Sequence, residues 1–341
     1  MKQSFFTILI ATSILFSCGG NTDPDKIYKP NSNGAQGEVR VVMHDLMWNG
    51  QLGEIIQESL APMIEYYPNG ERTFDLIHTE KKTFDSGNKR YKNIVQFEII
   101  THPKIKSGIS FSNDIWAKDQ LFIQIRGRNQ NELANLFNEN SLKIRDLITK
   151  KELDRLEVNL IRNKNHLTES KLLAKHHFAL STPKRMQVLI NNESFVGLRY
   201  DRFESSKAGT PGDVQQLILI YEYPYTSKNQ LTKESLIHVR DSVMKKYMKG
   251  SVKGSYMKTV SDTLAPIFET EKLWKGNYVF ELRGQYAMEG DFRGGPFVSF
   301  TMVDESKNRI ITIEGHVFCP KFTKRPFMME VETMMNTFYF D

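Results

Sequence analysis

The side chains best suited to chemistry lie in three apolar runs near the C-terminal end. In residues 278–286, Glu281 and Arg283 alternate with Phe280 and Leu282; in 309–318, Glu314 and His316 alternate with Ile313 and Val317. Between them, in 297–303, Ser299 and Thr301 oppose Val298 and Phe300. Alternation of this period places one set on each face of a strand. If the three strands form an antiparallel meander, Glu281, Arg283, Ser299, Thr301, Glu314 and His316 gather on one face. A carboxylate beside an imidazole can do acid–base work, and an arginine can hold an anion. The competing reading is a solvated sheet face with cross-strand ion pairs. This polar face is the candidate site, and no catalytic residue is assigned within it.

Other patterns carry less. Gly290-Asp291-Phe292-Arg293-Gly294-Gly295 precedes a strand, whereas a phosphate-binding loop opens a helix, so it reads as a turn. His176 and His177 are adjacent and would diverge by about 100° on a helix, too far apart to share a metal easily. No nucleophile elbow, metalloprotease helix or Walker loop is present. No metal and no cofactor are expected.

The elements that must position these residues read as an α+β fold, with antiparallel sheets and helices packed on them. Strands are predicted at 39–43, 94–100, 121–126, 186–190, 195–201, 216–223, 278–286, 297–303 and 309–318. Helices are predicted at 52–64, 233–248 and 323–338. A further helical region covers 131–177, restarting at a capping box formed by Thr149 and Glu152. The organisation expected is a signal peptide at 1–17, a lipidated cysteine and flexible tether at 18–37, and α+β halves at 38–180 and 181–341. The halves could share a duplicated plan. The hairpin-then-helix ending resembles the Mog1/PsbP-type sandwich, a fold-level analogy.

Composition narrows the class. The chain has 341 residues, 40% hydrophobic and 25% charged, enough apolar mass for a substantial core. Its 46 basic and 40 acidic side chains leave a net charge of +6, too mild over this length to favour nucleic acid. Two cysteines exclude a disulfide scaffold. Basic stretches at 143–175 and 240–258 read as solvated helix faces or as surfaces for anionic lipid. A small-ligand module would instead show an aromatic cleft near Trp48, Trp116 or Trp274.

The N-terminus gives the address. Lys2 and the uncharged run Phe5 to Phe16 form a secretory signal, too short for a spanning helix of ~20 residues. Leu15-Phe16-Ser17-Cys18 resembles the lipobox of bacterial lipoproteins, implying cleavage before Cys18 and its acylation. Several acyl chains anchor stably where one does not. Gly19, in place of Asp after the cysteine, favours the outer membrane. Cys319 is then left without a partner and reads as a small buried hydrophobe.

Further motifs recur in a recognisable order: Val41-Val42-Met43 followed by Trp48, Arg90 to Ile94, Asp114 to Gln120, Gly254 to Thr259, Arg283-Gly284, Gly294 to Phe297, and Lys324-Arg325. Together with the lipobox they resemble the Bacteroidota lipoproteins grouped as domain of unknown function 4837. That resemblance implies a lipoprotein of the cell envelope and supplies no catalytic residue. The expectation is a non-enzymatic binding or assembly-support protein, held to membrane lipid through Cys18 and meeting an envelope protein partner. The alternatives are an unfamiliar envelope enzyme or a ligand-binding module using the polar sheet face.

Overall fold

The computed structural model describes residues 28–205, 209–261 and 265–340. Cys18 and the signal segment lie outside the described residues.

The first half opens with β1 (Glu38–Val42), every residue of it buried, followed by the short helix α1 (Asp45–Trp48) and α2 (Gln51–Leu60). The helix predicted to reach residue 64 stops at Leu60 because Pro62 bars helical geometry at the residue before it. A small ribbon, β2 (Met63–Ile64) and β3 (Glu71–Arg72), leads into β4 (Asp75–Thr79), β5 (Asn93–Ile99), β6 (Gly108–Asn113) and β7 (Leu121–Gly127). The sheet order is β4-β1-β5-β7-β6. Three of its four pairings are parallel and only β6–β7 is antiparallel. The antiparallel character expected throughout is therefore confined, in this sheet, to the β6–β7 edge. Both faces of this sheet are covered, as parallel sheets require. Ile56, Phe97, Ile123 and Phe137 fill one side; Val42, Ile94 and Phe122 pack against Phe84 and Trp116 on the other.

The next helix, α3 (Gln130–Arg162), runs unbroken through the expected restart at Thr149. Glu152 caps nothing: it is buried, 2% exposed, and its Oε1 accepts from Asn93 Nδ2 at 2.7 Å and pairs with Arg155 Nη1 at 2.6 Å. Its Oε2 accepts from the Gly37 amide at 3.1 Å. Residues from Lys29 onward are likewise engaged with the fold. Asn31 bridges to Lys118 and Asn33 to Tyr91, so the tether expected to reach residue 37 is shorter than that.

Helix α4 (His166–His176) and β8 (Phe178–Ala179) follow, then β9 (Gln187–Asn191), β10 (Phe195–Ser205), β11 (Pro211–Pro224), α5 (Lys233–Tyr247) and β12 (Tyr256–Val260). The chain finishes with β13 (Phe268–Trp274), β14 (Asn277–Glu289), β15 (Gly294–Asp304), β16 (Arg309–Phe318), α6 (Arg325–Asn336) and β17 (Tyr339–Phe340), the last pairing with β8. The second sheet runs β12-β14-β15-β16-β11-β10-β9, with β13 also on β14, and is antiparallel throughout. The α+β class is as expected, but one mostly parallel and one antiparallel sheet do not repeat a single plan. Leu172, Phe178, Ala179 and Leu180 pack into the second core, so α4 and β8 join the later half despite preceding residue 181.

Helices cover both faces of the second sheet. α6 lays Val331 and Met335 on Val298, Phe300, Ile311 and Ile313, while α5 sets Leu236 and Met244 against Leu217, Leu282 and Phe297. Gly315 lets α6 approach: a Cβ there would lie 2.1 Å from Val331 Cγ1 and 2.8 Å from Met335 Sδ. Gly315→Ala is expected to destabilise the protein by roughly 1–3 kcal/mol through overpacking. Urea unfolding would show this, and an unchanged midpoint would mean that α6 is not closely seated.

Candidate functional site

Strand register decides what the predicted polar face becomes. Ser299 stands opposite Glu314 and Phe297 opposite His316, so these four share one face. On the next pair, however, Ser299 stands opposite Leu282, while Glu281 meets Phe300 and Arg283 meets Val298. Glu281 and Arg283 therefore face α6, and Glu314 and His316 face α5. The expected single face is corrected by this one-residue offset, which moves every side chain of β14 to the other side. Glu314 and His316 are sealed from solvent, whereas Arg283 is half-buried beside a nearly buried Glu281.

On the α5 side, the partner is a residue that sequence reasoning placed in a surface basic stretch. Arg240 lies four residues after Leu236 and four before Met244, on the buried row of α5, and is 1% exposed. Its Nε donates to Glu314 Oε1 at 2.8 Å and its Nη1 to Thr259 Oγ1 at 2.6 Å. The guanidinium also sits 4.0 Å over the Phe297 ring. Thr259 in turn donates to Asp241, through its amide at 2.9 Å and its hydroxyl at 2.6 Å. His316 Nε2 is 2.6 Å from Glu314 Oε1, off the line of a good hydrogen bond, and its Nδ1 meets no acceptor. The i, i+4 spacing around Arg240 was the available signal. Arg240, Glu314 and His316 are sealed from solvent and tie α5 to β16.

On the α6 side, Arg283 grips Glu332 with both terminal nitrogens, Nη1 to Oε1 at 2.8 Å and Nη2 to Oε2 at 2.7 Å. Its Nη1 also donates to the Tyr66 hydroxyl at 2.9 Å, and its Nε pairs with Glu281, which Lys272 holds from β13. Burial pushes the Glu281 carboxyl up, yet Arg283 and Lys272 hold it below the usual range. Bidentate geometry of this kind fixes orientation as well as energy. It joins the sheet, α6 and a residue of the first half.

The tryptophans are likewise engaged. Trp48 stacks on His78 with centroids 5.0 Å apart, Trp116 packs edgewise on Phe84 and Phe122, and Trp274 donates to Asn336 Oδ1 at 3.2 Å. A cleft of about 820 Å³ beside Trp274 is lined by Tyr225, Tyr278, Phe280 and Phe340, but Trp274 itself does not line it. Among the described residues no group of three His, Cys, Asp or Glu could hold a metal. Cys319 is buried, which pushes its thiol up to about 12.

A different cleft does carry unmet polar groups. It lies between α3 and the second sheet, with a volume of about 210 Å³. Leu156, Asn159 and Leu160 wall one side; Tyr200, Arg202, Gln216 and Glu330 wall the other. Gln216 is fully buried, and its Nε2 donates to the Phe327 carbonyl at 2.8 Å and to Glu330 Oε2 at 3.0 Å. Its Oε1 has no donor. Arg202 pairs with the same Glu330 oxygen. Burial raises the Glu330 carboxyl above its usual range against the pull of Arg202.

The core network generates a pH prediction. Burial, aided by the Arg240 charge, holds His316 below the usual imidazole range and outweighs Glu314. The unfolded chain therefore binds this proton first, and stability falls as pH drops from about 6.5 toward the folded value. Burial pushes Glu314 up, but Arg240 and then His316 hold it below the carboxylate range. Its contribution is full above about 4.3 and is lost as pH falls through its folded value. His316→Gln should flatten the loss of stability just below pH ~6.5 and leave the more acidic loss in place. Urea unfolding across pH checks this; parallel curves for the two proteins would contradict it.

Comparison with known proteins adds the following. A family described as "Domain of unknown function (DUF8532)" matches residues 32–160, and one described as "Domain of unknown function (DUF4837)" matches residues 165–337, just over half of the chain. Curated proteins give no match. Among solved structures, the Ran-binding protein Mog1p of Saccharomyces cerevisiae is similar at 12% identity and a TM-score of 0.28, over 48% of this chain and 90% of that one. LpqN of Mycobacterium tuberculosis, described as involved in cell envelope biogenesis, is similar at 12% identity and a TM-score of 0.25, over 47% and 81%. The two family matches meet at the short link between α3 and α4. The chain belongs to the DUF4837 family.

Proposed function

We propose that this protein is a lipid-anchored lipoprotein of the Bacteroidota cell envelope that acts by binding a partner and catalyses nothing itself. The observation that carries this reading is the fate of its charged side chains. Glu281, Arg283, Glu314 and His316 are consumed in two separate ties between sheet and helix. The enzyme alternative needs all four in one open site, and the register keeps them on opposite faces.

The anchor reading rests on the lipobox ending at Cys18, and Gly19 favours the outer membrane. Among the described residues no helix is long and apolar enough to cross a membrane. The chain joins the fold at Asn31 and Asn33, against Lys118 and Tyr91. About 13 residues separate Cys18 from Asn31, a reach of at most ~45 Å. The exposed Arg90 and Lys118 beside that entry point would then lie near the leaflet. Cations so placed gain about 1 kcal/mol each against anionic lipid.

Cys18→Ala should move the protein from the membrane pellet to the soluble fraction and abolish labelling by palmitate. In-cell crosslinking with mass spectrometry should recover a near-stoichiometric envelope partner from the native protein and lose it in the variant. A Cys18→Ala protein that stays in the pellet would overturn the anchor, and the absence of any partner would overturn the binding role.

A further inference from the structure

We propose that the cleft between α3 and the second sheet is a binding site for a neutral, polyhydroxylated ligand the size of one sugar ring. The first support is Gln216. Its orientation is fixed, because Nε2 faces two acceptors, the Phe327 carbonyl and Glu330 Oε2. Oε1 is thus the atom left over, fully buried and without a donor. An unmet buried acceptor costs about 1–3 kcal/mol, a deficit that a ligand hydroxyl would remove.

The second support is charge. Arg202 and Glu330 pair directly on one wall of the cleft and neutralise each other. The charged groups that line the cleft therefore sum to zero, so neither an anion nor a cation is favoured. The third is the mixture of polar types. Asn159 on α3 and Asn163 just past its end offer amides, while Gln216 and Glu330 offer acceptors. A hydroxyl both donates and accepts, so it is the group that satisfies such a lining. Leu156, Leu160 and Met334, with the Tyr200 ring, supply an apolar wall for the carbon face of the ring. A volume of about 210 Å³ is enough for one ring.

This site stands independently of the anchor, so the test uses the chain carrying Cys18→Ala as well as the native protein in detergent. Saturation-transfer NMR with myo-inositol and methyl α-glucopyranoside should show transfer to both neutral probes, with glucuronate and glucosamine weaker. Leu160→Trp, which fills the cleft, should abolish transfer while the circular dichroism and melting curve stay native. Should that variant fail to fold, Asn159→Leu serves in its place and should weaken binding roughly tenfold. No transfer to either neutral probe, equal transfer in a folded cleft variant, or stronger binding of a charged analogue would each overturn the proposal. None of these results bears on whether Cys18 is acylated.

Discussion

A charge on a sheet that is covered on both faces needs a countercharge brought by the covering element, and two such pairings organise the second half of this protein. Arg240 on α5 reaches Glu314, and Glu332 on α6 receives Arg283. Removing either partner of the Arg240–Glu314 pair would strand an ion where water cannot reach it. Arg283 and Glu332 are half-buried and hold each other by bidentate geometry, so both pairs act as locks. They specify which helix lies on which face and at what height along the strands. Apolar packing alone specifies this less sharply, because many registers of Leu, Val and Met bury similar area.

The same logic joins the halves. Glu71, on the ribbon of the first half, accepts from the amides of Lys324 at 2.7 Å and Arg325 at 2.9 Å. It thereby supplies a carboxylate to the start of α6, where unpaired amides favour negative charge. Arg325 then returns to Asp75 at 2.5 Å, and Tyr66 completes the Arg283 cluster. Helix α3, some 50 Å long by its residue count, is rooted in the first core and extends past it to α6. The cleft exists because that helix overshoots its own sheet. Its wall of Leu156, Asn159 and Leu160 belongs to one half and its floor to the other.

Much of the element order was legible from periodicity. The strand over 309–318 and the helix starting at residue 233 match the structure, because both are bounded by turn or capping residues. Four features were not legible. Alternation within β14 and β15 says nothing about their offset, so Glu281 and Arg283 were grouped with residues on the far face. Arg240 and Glu152 read as a surface charge and a helix cap, because their partners lie 74 and 59 residues away. Gln216 carried no signal, since its importance lies in one oxygen left unpaired after tertiary contacts are made. In the first half, buried runs such as Val39 to Val42 are common to parallel and antiparallel strands, so direction could not be read.

The buried Arg240 and Glu314 are a paired lock and not an unused site. A double-mutant cycle on Arg240→Met and Glu314→Leu, read by equilibrium urea unfolding at neutral pH, isolates that coupling. Each single change should cost about 3–5 kcal/mol, because the other charge is left buried and alone. The double variant should be far more stable than the sum of the two losses implies. If the losses simply add, the two residues do not hold each other and the account is wrong.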